Sequence, residues 1–503
     1  MPTIRFIVLI FCTLVVAWPD TTLAQAETLD TARIDAHVEA VMASSRVPGV
    51  ALGIVHEDRI VYLKGYGDAG NGGPVTPQTL FALASVSKPF TSLAVMQQVE
   101  AGKVDLDQPV QMYLPEFQLA DADAAARITV RHLLSHVSGL STFSGLQHFF
   151  SRDKSPDALV GYVRGLAAVR PTAPVGSKFQ YSNTNFTVLA RLVEVVSGLP
   201  FEQYIRERIL TPLGMPQTCF SSDEASGRAI GHRYWFGWPV AFSGVPSSRH
   251  HLGAAGIYSS TEELSRFLIA HLNGGRIEGR SVLSPEGVAT LHKPAVKDDR
   301  PNGHYAMGWD VRGTSNGRYV GHDGGWPEFQ CDLVMSPEDR WGVVVLINVN
   351  GPDTTGETRK LANDILDLCR NRPVTPPRGR DFIERHFQEM ALAFLVAQLV
   401  LALLFYRRVR RWRRVAEKRP QRWRLVWVWH GVVVLVNLAL AYFLLIGSPM
   451  AFEFTLRVAM LYGPAPTWIM ILTAGCALLW CVIRTVLVVR SYRAFGPPSI
   501  STI

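Results

Sequence analysis

The chain has 503 residues, 48% of them apolar, and a formal net charge of +8. Its length exceeds what one core usually organises, so two or more structural regions are expected. Ten Arg or Lys residues stand against one acid, Glu417, between Arg407 and Arg424, making that segment +9 and the rest of the chain about −1. No broad basic face remains for nucleic acid, and no nucleic-acid partner is expected.

In chain order, Arg5, an apolar run from Phe6 to Val16, and Ala24-Gln25-Ala26 read as the three regions of a secretory signal peptide over residues 1–26. Cys12 would leave with it, and Cys476 and Cys481 fall in an apolar helix. Cys219, Cys331 and Cys369 remain, an odd number at wide spacing, and the sequence leaves their pairing open.

An outer domain over residues 27–372 opens with an amphipathic helix at 30–44. Strands at 50–55 and 60–65 flank the polar turn His56-Glu57-Asp58-Arg59. Strands at 318–321, 328–335 and 341–349 close the domain, with Pro337-Glu338-Asp339-Arg340 turning between the last two. The stretch between is helical and loop-rich, with a capping box from Ser260 to Glu263. A helix near 355–368 follows the last strand. Strands at both ends with helices between imply an α+β domain whose sheet joins the two ends of the chain.

After a linker at 373–389 come apolar segments at 390–406, 425–446 and 468–489, each about long enough to cross a bilayer. The basic loop at 407–424 belongs in the cytoplasm by the positive-inside rule, which leaves residues 27–385 outside. The export signal agrees. A multi-pass protein of the cell (inner) membrane is expected, with its catalytic domain on the periplasmic or extracellular side. His430 and Arg484, near the cytoplasmic face, read as interfacial and snorkelling groups.

Three constellations carry chemistry. In Ser85-Val86-Ser87-Lys88 a helix starting near Ser85 puts both functional groups on one face, and Gly102 is its stop. A serine hydroxyl needs a base to become a nucleophile, and lysine serves once burial lowers its pKa. Tyr181-Ser182-Asn183 precedes an apolar-periodic helix; a phenol relays protons and a carboxamide holds a lysine and a carbonyl, although Ser182 or Asn183 also fits as a plain N-cap. Gly321-His322-Asp323-Gly324-Gly325 ends a short strand, where glycines admit a substrate backbone or simply make a turn.

Together, in this order, the three resemble the S-x-x-K, Y/S-x-N and K-T-G motifs of the serine β-lactamase and penicillin-binding-protein superfamily. The phrases ITVRHLLSHVSGL, AAGIYSSTEELSRFL and YAMGWDV look like its class C β-lactamase-like branch, which includes D-peptidases and esterases. The likeness runs from about Ile34 to Leu368 and leaves out the apolar tail. It implies that family's fold, an antiparallel sheet flanked by helices plus a mostly helical subdomain, followed here by three transmembrane helices. It also implies an acyl-serine mechanism on an amide, peptide or ester. Ser85 would be the nucleophile, Lys88 and Tyr181 would share the acid and base work, and Asn183 would orient Lys88 and the substrate. Gly324 and Gly325 would line the substrate site, with the Ser85 and Gly325 N–H groups as oxyanion hole. His322 stands at the usual lysine and Asp323 at the usual threonine. A histidine is mostly neutral above pH 7, which weakens recognition of a substrate carboxylate.

The expected partners are therefore a small-molecule or peptide substrate and the bilayer, with no cofactor. No metal is expected, since neither H-E-x-x-H nor a clustered His/Asp motif occurs. The G-x-S-x-G match at Gly313–Gly317 reads as a hairpin loop, because strand sequence continues past it. The alternative function is a penicillin-binding receptor that is acylated without turnover.

Overall fold

The computed structural model describes residues 29–146, 149–245, 247–314, 317–351, 357–377, 382–413, 423–451 and 454–495. The expected signal peptide and half of the basic loop lie outside them. The α+β architecture is as the resemblance implied. An eight-stranded antiparallel sheet holds β1 (Gly49–His56), β2 (Arg59–Gly67), β3 (Val296–Lys297), β4 (Gly303–Tyr305), β5 (Asp310–Thr314), β6 (Gly317–Trp326), β7 (Phe329–Ser336) and β8 (Trp341–Ile347). Its spatial order is β2-β1-β8-β7-β6-β5-β4-β3. The join between the chain's ends is β1 against β8, with Val50 opposite Ile347 and His56 opposite Trp341.

Period-two alternation divides this sheet between two cores. Val50, Leu52 and Ile54 of β1 and Val343, Val345 and Ile347 of β8 pack with α1 (Thr31–Ser45) and α5 (Glu357–Cys369). Ala51, Val55, Val344 and Leu346 face the opposite side and join a larger core with α2 (Ser87–Glu100), α3 (Asn183–Ser197) and α4 (Thr261–Leu272). Strands covered on both faces read as almost unbroken apolar runs, as β1 and β8 do.

Local signals explain most boundaries. Asp30 caps α1, accepting from the Arg33 N–H at 3.0 Å. Gly198 ends α3 in the left-handed conformation. β5 and β6 pair antiparallel as far as Thr314 opposite Gly317, and the rest of the expected hairpin loop, residues 315 and 316, lies outside the described residues. The capping box at α4 is only half made. Ser260 accepts from the Glu263 N–H at 3.3 Å, but the Glu263 carboxylate turns to the Gln217 N–H at 2.8 Å and to Thr218. The linker is shorter than expected, because α6 runs unbroken from Phe382 to Arg413.

Among the described residues, three stretches are long and apolar enough to cross a membrane: Glu389–Arg407 in α6, Trp423–Ala451 beginning with α7 (Trp423–Tyr442), and Pro464–Ala494 in α9 (Pro464–Phe495). The short helix α8 (Leu456–Tyr462) lies between the second and third.

The sheet's packing tolerance is testable at Gly53, where a Cβ would meet the Ser265 hydroxyl at 2.5 Å and the Thr261 carbonyl at 3.1 Å. Gly53→Val should cost about 1–3 kcal/mol by overpacking the β1–α4 contact. It should lower the thermal midpoint in detergent; an unchanged midpoint would show that α4 yields freely.

Candidate active site

The residues from Leu83 to Lys88 build the centre of the site. A single 3₁₀ turn, Ala84–Val86, carries Ser85 and leads directly into α2. Ala84 sits at φ +47°, a left-handed conformation that an alanine holds only when its surroundings impose it. One turn on, Lys88 is fully buried and places Nζ 3.0 Å from Ser85 Oγ. The same nitrogen donates to Asn183 Oδ1 at 2.8 Å and to the Ala254 carbonyl at 3.0 Å.

That set of partners suits a neutral amine. Two of them only accept and so take its two N–H groups, while the third is a hydroxyl able to donate to the lone pair. Burial holds the Lys88 pKa well below the usual lysine value, with Asp323 and Asp310 opposing only in part. The rings of Tyr181 and Phe186 lie 4.7 and 5.6 Å from Nζ. The lowered pKa and this geometry suit the amine to take the Ser85 proton.

Tyr181 lies half-buried at the same centre, its ring against Lys88 Nζ, and desolvation pushes its phenol well above 10. It remains a protonated donor across the ordinary pH range. Ser182 occupies the N-cap position of α3 without capping it, donating instead to the Ser141 carbonyl at 3.0 Å. This frees the start of α3 to aim Asn183 at Lys88. The plain N-cap reading is thereby set aside.

The third motif is placed differently from its sequence expectation. Gly321 to Gly325 lie inside β6, paired with β7 throughout, and do not form a turn. A Cβ on Gly324 would fall 2.2 Å from the Leu83 carbonyl and 3.2 Å from the backbone nitrogens of Ser85 and Val86. Its bareness thus lets the strand press against the nucleophile's own turn rather than admitting a substrate. Gly325 is looser, its added Cβ 3.3 Å from Asn350 Nδ2.

His322 is buried with both ring nitrogens engaged, Nδ1 at 2.6 Å from the Asp323 carbonyl and Nε2 at 3.1 Å from the Tyr305 hydroxyl. Burial lowers its pKa, so it is a neutral ring donating through Nδ1 and accepting at Nε2. No ring nitrogen is left for a substrate. Donor atoms of Asp310, His322 and Asp323 lie within 4.8 Å of one another, but Arg300 already holds Asp310 at 2.9 Å and His322 is committed as described.

Sequence reasoning passed over His136, whose ring packs at a tilt against Tyr181 and Tyr305, with centroids 4.4 and 4.8 Å away. Its Nδ1 accepts from the Ser182 N–H at 3.2 Å, and burial keeps the ring neutral. Ser138 then bonds Asn185 at 2.8 Å, so the quoted phrase RHLLSHVSGL supplies the support behind Tyr181. The phrase YAMGWDV contributes Tyr305 in the same way.

Comparison with known proteins agrees with this geometry. Residues 34–367 match the family profile described as Beta-lactamase. The chain belongs to the beta-lactamase family. Among its relatives, penicillin-binding protein 4 of Amycolatopsis lactamdurans is 34% identical over 344 residues, covering 65% of this chain and 87% of that one. Protein flp of Staphylococcus aureus strain MW2 is 26% identical over 329 residues, and the match spans 63% of each chain. The structure of the octameric penicillin-binding protein homologue from Pyrococcus abyssi has a TM-score of 0.60 at 26% identity, covering 72% of this chain and 81% of that one.

The Gly324 contact is testable. Gly324→Ala should push β6 away from the Ser85 turn and slow labelling of Ser85 by a fluorophosphonate at least about 100-fold, the usual effect of an ångström-scale misplacement. Unchanged labelling would show that the turn does not rely on β6.

Proposed function

We propose that this protein is a membrane-anchored serine hydrolase acting at the outer face of the membrane through an acyl-Ser85 intermediate. The observation that carries the reading is the buried Lys88 amine, held by Asn183 and Ala254 and directed at Ser85 Oγ. The neutral amine removes the Ser85 proton as Oγ attacks the substrate carbonyl. The Ser85 and Gly325 N–H groups stabilise the oxyanion. Tyr181 gives its proton to the leaving group and regains one from Lys88. Water then releases the acyl group.

The site also bears on substrate class. A neutral, internally bonded His322 offers no fixed charge to a carboxylate, which favours esters and neutral acyl compounds over acidic peptides. The three apolar helices and the basic loop between the first two support retention at the membrane with the domain outside.

Two measurements test this reading. Full-length protein in detergent should be acylated by a fluorophosphonate and should hydrolyse a nitrophenyl ester, and Ser85→Ala should lose both. A lasting penicillin adduct without any turnover would favour the receptor alternative, while a folded wild type inert to every reagent would remove Ser85 from its role.

The pH profile is the second. Ester kcat/KM should rise with pH through the lowered Lys88 pKa as the amine loses its proton, and level off below pH 10.5. It should then hold past pH 10, because Tyr181 stays protonated there. A rate still climbing at pH 10.5 would mean that Lys88 is charged in the resting enzyme and another group is the base.

A further inference from the structure

β6 is paired with β7 as far as Trp326, but its pairing with β5 stops at Gly321. Beyond Gly321, the strand passing the Ser85 turn is a sheet edge among the described residues. Alternate residues of such an edge direct N–H and C=O outward, where an extended chain with amide groups pairs readily.

In this chain the Gly325 carbonyl on that edge is already occupied. The Tyr462 hydroxyl donates to it at 3.2 Å. Tyr462 ends α8, in the segment joining the second and third apolar stretches. Several contacts hold α8 in place. The Arg233 guanidinium donates to the carbonyls of Met460 and Leu461 at 3.4 and 3.1 Å, satisfying the end of the helix. Val458 is buried in the larger core of the outer domain. Arg457 lies 3.9 Å over the Phe150 ring, and the Tyr462 ring is 6.3 Å from Phe149, itself 5.4 Å from Trp326.

We propose that Tyr462, carried to the site by the membrane tail, is a specificity-determining residue that occupies the Gly325 acceptor and selects for esters. This rests on the hydrolase reading above. An acylamino or peptide substrate laid along β6 presents an N–H to the Gly325 carbonyl and competes there with the phenol for the space and the acceptor. A simple ester has no N–H to place and reacts with the phenol where it is. The tail thus contributes a residue to the active site as well as an anchor.

The test uses full-length protein in nanodiscs, with p-nitrophenyl butyrate as the ester and nitrocefin as an acylamino β-lactam. Tyr462→Phe removes only the hydroxyl. The ratio of kcat/KM for nitrocefin to that for the ester should rise about fivefold, the effect of one neutral hydrogen bond. Tyr462→Ala should move the ratio in the same direction. An unchanged ratio, including a proportional fall of both activities, or a shift toward the ester overturns the proposal. If that happens while Ser85→Ala still abolishes ester turnover, the hydrolase reading survives and only this inference fails. Wild type and variants inert to both compounds would remove both.

Discussion

The site depends on keeping one amine uncharged. Lys88 is fully buried, with a hydroxyl, a carboxamide oxygen and a backbone carbonyl for partners and, among the described residues, no carboxylate in contact. An ammonium there would lose its hydration without gaining a counter-charge, so the proton is held weakly and the lone pair is available. The same burial drives Tyr181 the other way and keeps its proton on. One desolvated cavity therefore yields a base and an acid side by side, from two groups whose ordinary pKa values nearly coincide.

Holding that cavity closed engages distant parts of the chain. Asn183 comes from the start of α3, the Ala254 carbonyl from a loop before α4, and the wall beside Ser85 from β6. His136 and Tyr305 fill the space behind Tyr181 and His322, with His136 Nδ1 and the Tyr305 hydroxyl bonded inward. The strain at Ala84 persists because the surrounding structure leaves the turn nowhere else to go.

What was readable in the sequence follows the range of the interactions. Ser85 and Lys88 are three residues apart, and helical geometry alone puts them on one face. The long strands β1, β2, β7 and β8 were visible because each has a continuous or alternating apolar pattern and a polar turn between partners. The short strands β3, β4 and β5 carry too few residues for any period to register. Tyr181 and Asn183 join Lys88 only through long-range packing, and it was the resemblance, not spacing, that placed them together. Whether a glycine faces a ligand or the protein's own backbone is likewise a long-range fact, and Gly324 faces backbone. His322 was identified by position, but its two internal bonds depend on Tyr305 and a neighbouring carbonyl that no local pattern reveals. Tyr462 lies between the second and third apolar segments, in a stretch that no sequence motif singles out.

The pairing of β1 with β8 also sets an order of events. Residues 50–56 have no partner on that side until 341–347 have been made, so the sheet must be closed across nearly three hundred residues of intervening chain. Until then β1 and β2 form a lone hairpin with a bare apolar edge, the kind of surface that attracts chaperones or aggregates. The first apolar stretch begins only some forty residues after β8 ends. Sheet closure and entry of the tail into the bilayer would then fall close together in the life of a nascent chain. A fault in one is therefore apt to surface as a fault in the other.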